Sequence, residues 1–266
     1  MEIEGNIRKM EVSQGEIVDY QLPLGSHKIS MNQLIGREIT MTYKGHIHCI
    51  RCGKETRKSF AQGYCYPCFS TAPETEECVL RPELCRAHEG VARDMDYARK
   101  HCLSEQVVYL SLTSGLKVGV TRSSQVPVRW IDQGAVRAIE LARVPNRFTA
   151  GELELALKAN MSDKTNWRKM LTSEGPLGIN LPEEKKRIAQ LLPERLKAYV
   201  SDDSLVHVFV YPVESYPEKI KSLNFDKEAE VKGVLTGIKG QYLLFENNSV
   251  INMRKFGAYL ISFQSA

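Results

Sequence analysis

The sequence predicts an α+β fold, on three observations. Strand-patterned segments occupy both ends of the chain. Every cysteine falls in one stretch between them, and the residues after that stretch mix a hairpin with helical periodicity. At 266 residues the chain is long enough for one large domain or two small ones, each with its own core. Its 42% hydrophobic and 26% charged residues belong to a globular protein, not a disordered one. The start, MEIEGNIRKM, lacks the apolar core of a signal peptide, and no run of about 18 apolar residues is present to span a membrane. A cytoplasmic location is the expectation.

Residues 1–45 contain the strand-like pieces EIVDYQL and REITMTY, with a Pro-Leu-Gly turn between them. Residues 205–266 return to strand patterning in LVHVFVY, AEVKGVLTGI, QYLLF and GAYLISF. The economical arrangement lets these two end segments share a small β-sheet or barrel, because chain termini often lie close together. A cysteine module (46–104) and a mixed α/β core (105–204) are then inserted between them.

The strongest chemical signal is CIRCGKETRKSFAQGYCYPC. Cys49 and Cys52 form one Cys-x-x-Cys knuckle, and Cys65 and Cys68 form a second. A two-residue gap lets a tight turn aim both sulfurs at one ion, and two such turns supply the four thiolates of a tetrahedral structural zinc. The seven cysteines are an odd number and tightly bunched, which in a reducing compartment favours metal thiolates over disulfides. Cys78, Cys85, His88 and Cys102 are the candidates for a second closed zinc site, with His101 the competing fourth ligand. Zinc at either place, one ion or two, is scaffolding: no coordination position stays open for catalysis.

The hairpin VVYLSLTSGLKVGVTR opens the core. With its turn centred on Ser114, Leu112 pairs with Leu116 and Tyr109 faces Gly119. Tyr109, Ser111, Lys117 and Gly119 then share one face. Val108, Leu110, Leu112, Leu116, Val118 and Val120 form an apolar opposite face that must pack on a core.

VVYL…LKVGVTR, followed by Arg129 and a helix with a central Glu, resembles the GIY-YIG nuclease fold. The resemblance spans about seventy residues and implies a catalytic role for Tyr109, with Lys117 standing where the family has its second tyrosine. It also implies that Arg129 contacts a scissile phosphate and that Glu154 binds Mg²⁺. No clear histidine follows Arg129 at short range. Most of the chain further resembles a bacterial family known as a domain of unknown function, through the knuckles, RPELC, LKVGVTR, RWIDQGA, DKTNWRKML and GIKGQYLLF. That likeness implies the architecture and no activity.

The residues also carry a reading of their own. Phosphodiester cleavage needs positive charge on the phosphoryl oxygens, which Lys117 and the forked guanidinium of Arg129 can supply. Tyr109 could act as a base only with a lowered pKa. In FTAGELELALK, Thr149 reads as a helix N-cap and Glu152 as its capping-box partner, leaving Glu154 for a metal or for an ion pair with Lys158. Asn160 or Asn166 could assist it. Arg122, Trp130, Trp167, Arg168 and Lys169 are the expected nucleic-acid contacts, the indoles as stacking platforms. Asp132 and Gln133 are candidates to orient Arg129. From Gln106 to Gly175 there are ten Lys or Arg against six Asp or Glu, a surplus equal to the whole chain's +4. From Lys44 to Phe69 there are five basic residues and one acid, Glu55.

Three functions compete on the sequence alone. The first is a zinc-stabilised, Mg²⁺-dependent nuclease acting on RNA or DNA. The second is a non-catalytic nucleic-acid- or ribosome-associated module, and the third a zinc-built adaptor.

Overall fold

The computed structural model describes residues 2–158, 161, 164–176 and 178–266. The chain forms two compact units, Met1–Ser70 with Leu171–Ser173 and Val210–Ala266, and Thr71–Met170 with Glu174–Phe209. In chain order, β1 (Glu2–Asn6), β2 (Glu11–Ser13), β3 (Asp19–Leu24), β4 (His27–Ser30) and β5 (Glu38–Ile47) belong to the first unit. The second holds β6 (Gln106–Leu112), β7 (Leu116–Arg122), β8 (Arg137–Val144) and β9 (Val206–Val208). The first unit is completed by β10 (Lys221–Ser222), β11 (Glu230–Lys239), β12 (Tyr242–Phe245), β13 (Ser249–Asn252) and β14 (Tyr259–Ser265).

The expected sharing of the two chain ends is present. In the first unit a seven-stranded sheet runs β1-β14-β5-β11-β12-β13-β10, so N-terminal β5 lies between C-terminal β14 and β11. Alternation explains the pairing. Ile39 and Met41 of β5 and Ile261 and Phe263 of β14 are fully buried, and the residues beside them in sequence are polar except for half-buried Leu260. Phe263 stands opposite Met41 in the antiparallel register.

The second unit is built on a four-stranded antiparallel sheet, order β7-β6-β8-β9. The β6–β7 register places Leu112 opposite Leu116, Ser111 opposite Lys117 and Tyr109 opposite Gly119, as alternation required. Val108, Leu110, Leu112 and Val118 pack against Ala150, Leu153 and Leu157 of the helix Arg147–Lys158 and against Leu181 and Ile188 of the helix Leu181–Gln190. At Gly151 of the first helix an added Cβ would lie 2.2 Å from the backbone nitrogen of Glu83, so only glycine lets this helix and the Pro82–Leu84 turn approach so closely.

Three expectations change. LVHVFVY does not extend the C-terminal strands: Val206–Val208 pairs with β8, and the C-terminal part of the first unit begins at Val210. The cysteine stretch 46–104 is not one module, because the unit boundary falls between Ser70 and Thr71. The helix bearing Glu154 starts at Arg147, and Asn146, not Thr149, accepts the capping hydrogen bond, its Oδ1 lying 2.9 Å from the Thr149 nitrogen. Glu152 is released from the capping box and pairs with Arg195 at 2.6 Å. Among the described residues no helix is long and apolar enough to cross a membrane.

Candidate functional site

In the first unit the two knuckles converge. The sulfurs of Cys49, Cys52, Cys65 and Cys68 all lie within 4.8 Å of one another, with Cys52 and Cys65 at 3.8 Å. A tetrahedron with Zn–S bonds of about 2.3 Å has S–S edges of about 3.8 Å, so the donor set fits zinc. Burial opposes ionisation of Cys49, but backbone N–H donors of Cys52, Cys65 and Arg51 bring its thiol down to about 6. Burial and the neighbouring sulfurs push Cys68 up to about 12. Four thiols sharing protons in this way form a group that a cation would bind as thiolates.

In the second unit the sulfurs of Cys78, Cys85 and Cys102 likewise lie within 4.8 Å of one another, all buried. Hydrogen bonds from the Cys102 and Cys78 thiols hold Cys85 down at about 3. Neither expected histidine joins them. His88 stacks on Phe148 with ring centroids 4.4 Å apart, and His101 lies flat on Tyr97 at 3.8 Å with its Nδ1 2.9 Å from the Tyr97 carbonyl oxygen. What approaches the sulfurs instead is Arg147, whose Nη1 is 3.6 Å from Cys78 Sγ and whose Nη2 donates to the His101 carbonyl at 3.3 Å. No motif in the sequence marked Arg147. Its role follows from its place at the start of α4 (Arg147–Lys158), which follows the helices α1 (Tyr66–Thr71), α2 (Met95–His101) and α3 (Val128–Asp132) in the chain. Both thiol groups are compatible with structural zinc, the first with four protein donors; the second has three among the described residues, so the expected closed four-ligand site is not formed there.

The polar face of the second unit's sheet gathers most of the remaining candidates. Gly119 leaves space that the Tyr109 ring fills: a Cβ there would lie 2.6 Å from both the ring's Cζ and its hydroxyl oxygen. The Tyr109 hydroxyl donates to Gln133 Oε1 at 2.8 Å, and the Arg129 cation lies near enough to lower the pKa of the phenol. The carboxylate of Glu154 is near enough to act on the same phenol. Lys117, opposite Ser111 in the register, is 4% exposed. Ser111 Oγ is buried with no hydrogen-bond partner among the described residues, which marks unfinished polar business on this face. At the hairpin tip, Thr113 and Thr165 hydroxyls meet at 3.0 Å and Ser114 Oγ accepts from the Asn166 nitrogen at 2.9 Å. These bonds bring the short helix Trp167–Met170 to the same end of the sheet. There the Arg168 guanidinium lies 4.3 Å from the Trp167 ring centroid, and Arg168 and Lys169 are exposed.

Other candidates fall elsewhere. Trp130 is 1% exposed and packs between Tyr109 and His207, with centroids at 5.6 and 5.0 Å, so it is core and no base can stack on it. Arg122 faces the three-cysteine group: burial lowers its pKa, and Tyr97, Arg147 and Cys102 are the charges that act on it. Asn166 caps the Trp167 helix through the Lys169 nitrogen, and Asn160 lies outside the described residues. Glu154 stands 3.6 Å from Lys158, the helical ion pair weighed above.

Tyr109 is no base. Burial pushes its phenol up to about 12, Arg129 offsets part of the rise, and Glu154 adds to it. A folded-state pKa above the unfolded value of about 10 contributes stability that is complete below pH 10 and is lost between about pH 10 and pH 12. Tyr109→Phe should cost about 1–2 kcal/mol through the lost hydrogen bond to Gln133, whose half-buried acceptor is left unpaired. That cost should be constant from pH 6 to pH 9 and change only above about pH 10. Urea midpoints of both proteins across pH test this; a difference that already changes near neutrality would mean a lowered pKa.

Residues 36–261 match the family described as "Protein of unknown function (DUF2797)". The chain belongs to that family. The DUF2797 match takes in both thiol groups and the whole polar face, so these features lie inside the family's domain. No curated protein and no solved structure matches the chain. None of these comparisons shows a likeness to GIY-YIG nucleases.

Proposed function

We propose that this DUF2797 protein is a zinc-stabilised, cytoplasmic, nucleic-acid-processing protein that grips a phosphodiester on the polar face and cleaves it with Mg²⁺ at Glu154. One observation carries the reading: the Tyr109 hydroxyl is bonded to Gln133 within electrostatic reach of both Arg129 and Glu154. Arg129, braced by a neutral phenol, offers a fixed fork to phosphate oxygens, and Lys117 on the same face adds a second cation. Water attacks phosphorus and gives up a proton to solvent, the P–O bond to the leaving alkoxide breaks, and the alkoxide takes a proton back from solvent. A divalent ion on Glu154 would supply further positive charge to the phosphoryl oxygens. Tyr109 is a positioning residue that holds the guanidinium. Trp167 and Arg168 at the hairpin tip offer the flanking contact to a base. The cytoplasmic reading rests on seven free cysteines grouped as metal ligands, not paired as disulfides.

Binding without cleavage is the second reading, favoured by the burial of Tyr109 and by the Lys158 partner of Glu154. Labelled single- and double-stranded RNA and DNA, incubated with Mg²⁺ or Mn²⁺, separate the two. Cleavage by the wild type that falls at least about 100-fold in Glu154→Gln and Arg129→Ala supports the first reading. Salt-sensitive binding with no products selects the second, and neither binding nor products overturns both.

A further inference from the structure

The first unit carries an equipped surface that the polar face of the second does not use. Within its knuckle hairpin, Arg57 and Lys58 are exposed. Lys58 Nζ lies 5.2 Å from the centroid of Phe60. Phe60 meets the edge of Tyr66 at 5.5 Å and stacks with Phe69 at 5.7 Å. Tyr66, first residue of the helix Tyr66–Thr71, is 62% exposed, an unusual state for a large aromatic with no core role. Arg57 also lines an open cleft of about 540 Å³ with Tyr43, Glu55 and Thr56.

The charges on this surface are one-sided. Lys54 and Arg57 have no carboxylate partner among the described residues, and the single acid, Glu55, is bonded to His46 Nδ1 at 2.7 Å. From Arg51 to Ser70 there is no Leu, Ile, Val or Met, so the surface lacks the aliphatic side chains that a membrane or an apolar protein groove would need. What remains is an exposed aromatic step beside a row of cations.

From this juxtaposition we infer a second nucleic-acid site: the knuckle hairpin binds a single strand, with a base stacked on Tyr66 and the adjoining phosphates on Arg57 and Lys58. A single strand is required because a duplex hides the faces of its bases, whereas an unpaired base offers a π-face to any exposed ring. The cleft beside Arg57 gives the next nucleotide room to lie against Tyr43. This site goes beyond the polar-face reading and does not depend on it.

The test uses the full-length zinc protein without added Mg²⁺ and measures fluorescence anisotropy with labelled oligo(dT), oligo(U) and a duplex of equal length. Tyr66→Ala is expected to weaken single-strand binding about tenfold and leave duplex binding unchanged. The Arg57→Ala, Lys58→Ala double variant is expected to reduce the log–log salt slope by about 1.4, at about 0.7 per phosphate contact on a single strand. Zinc content, unchanged in both variants, reports that the hairpin remains folded. Single-strand binding by Tyr66→Ala at wild-type strength, equal losses for strand and duplex, or no single-strand binding by the wild type each overturns the inference. Arg129→Ala, read in parallel, keeps the two proposals apart: loss there with Tyr66→Ala unaffected supports the polar face and sinks this site, and the reverse pattern does the opposite.

Discussion

Replacing Cys49 or Cys68 with serine is expected to release one zinc ion per chain and unfold the knuckle hairpin, leaving the first unit's sheet folded. The reason is how little else holds the hairpin. From His48 to Ser70 the only buried residues are Cys49, Gly63 and Cys65, so apolar burial cannot offset the entropy of ordering that stretch. The backbone bonds that shape it, among them Cys49 N to Lys54 O at 2.9 Å, Ile50 N to Gly63 O at 2.8 Å and Phe60 N to Tyr64 O at 2.8 Å, lie in a largely exposed stretch and contribute only about 1 kcal/mol each in water. A structural zinc binds small modules with apparent free energies of about 10–16 kcal/mol, far more than those bonds provide. The sheet, by contrast, buries Ile39, Met41, Ile261 and Phe263 completely and should keep its amide protection. Zinc analysis and hydrogen exchange read the two parts separately. Wild-type protein purified without chelator and holding no zinc, or a Cys49→Ser variant with unchanged zinc content, would refute this account.

What could be read from the residues was whatever local spacing decides. Cys-x-x-Cys places two sulfurs on one turn whatever surrounds it, and alternation around Thr113–Gly115 admits one register that buries Leu110 and Val118 together. Where two local readings were equally good, packing chose between them. Thr149 fits a capping box, yet the helix starts at Arg147 with Asn146 accepting the capping bond. Cys85 and His88 have ligand spacing, but the His88 ring is taken up by Phe148, sixty residues later in the chain. The alternation of LVHVFVY shows a strand and not which sheet it joins; β8 takes it. Trp130 beside Arg129 suggested a stacking platform, yet the face of Tyr109 opposite Gly119 needed a large ring to cover it.

Replacing Cys85 with serine is expected to cost the protein its second zinc ion, to loosen the α4 helix, and to depress cleavage or binding at the polar face, although Cys85 is not on that face. Three contacts carry the coupling. The Arg147 nitrogen donates to the Cys102 carbonyl at 2.8 Å, its guanidinium reaches Cys78 Sγ, and Gly151 lies directly against the Pro82–Glu83 backbone. The start of α4 is therefore tied to the segment that supplies two of the three sulfurs, and Glu154 follows two turns later on the same helix. Charge also favours the arrangement. A Zn²⁺ held by Cys78, Cys85 and Cys102 as thiolates would carry a net −1, which the Arg147 guanidinium beside Cys78 would offset. Arg147→Met should therefore lower zinc affinity by about 10–100-fold while sparing the first site. Exchange protection from Ala150 to Leu157 should fall in Cys85→Ser and survive in Cys49→Ser, since the two thiol groups belong to different units. If α4 stays protected after the second ion is lost, the helix is held by its Leu153 and Leu157 packing alone, and the metal has no say in where Glu154 stands.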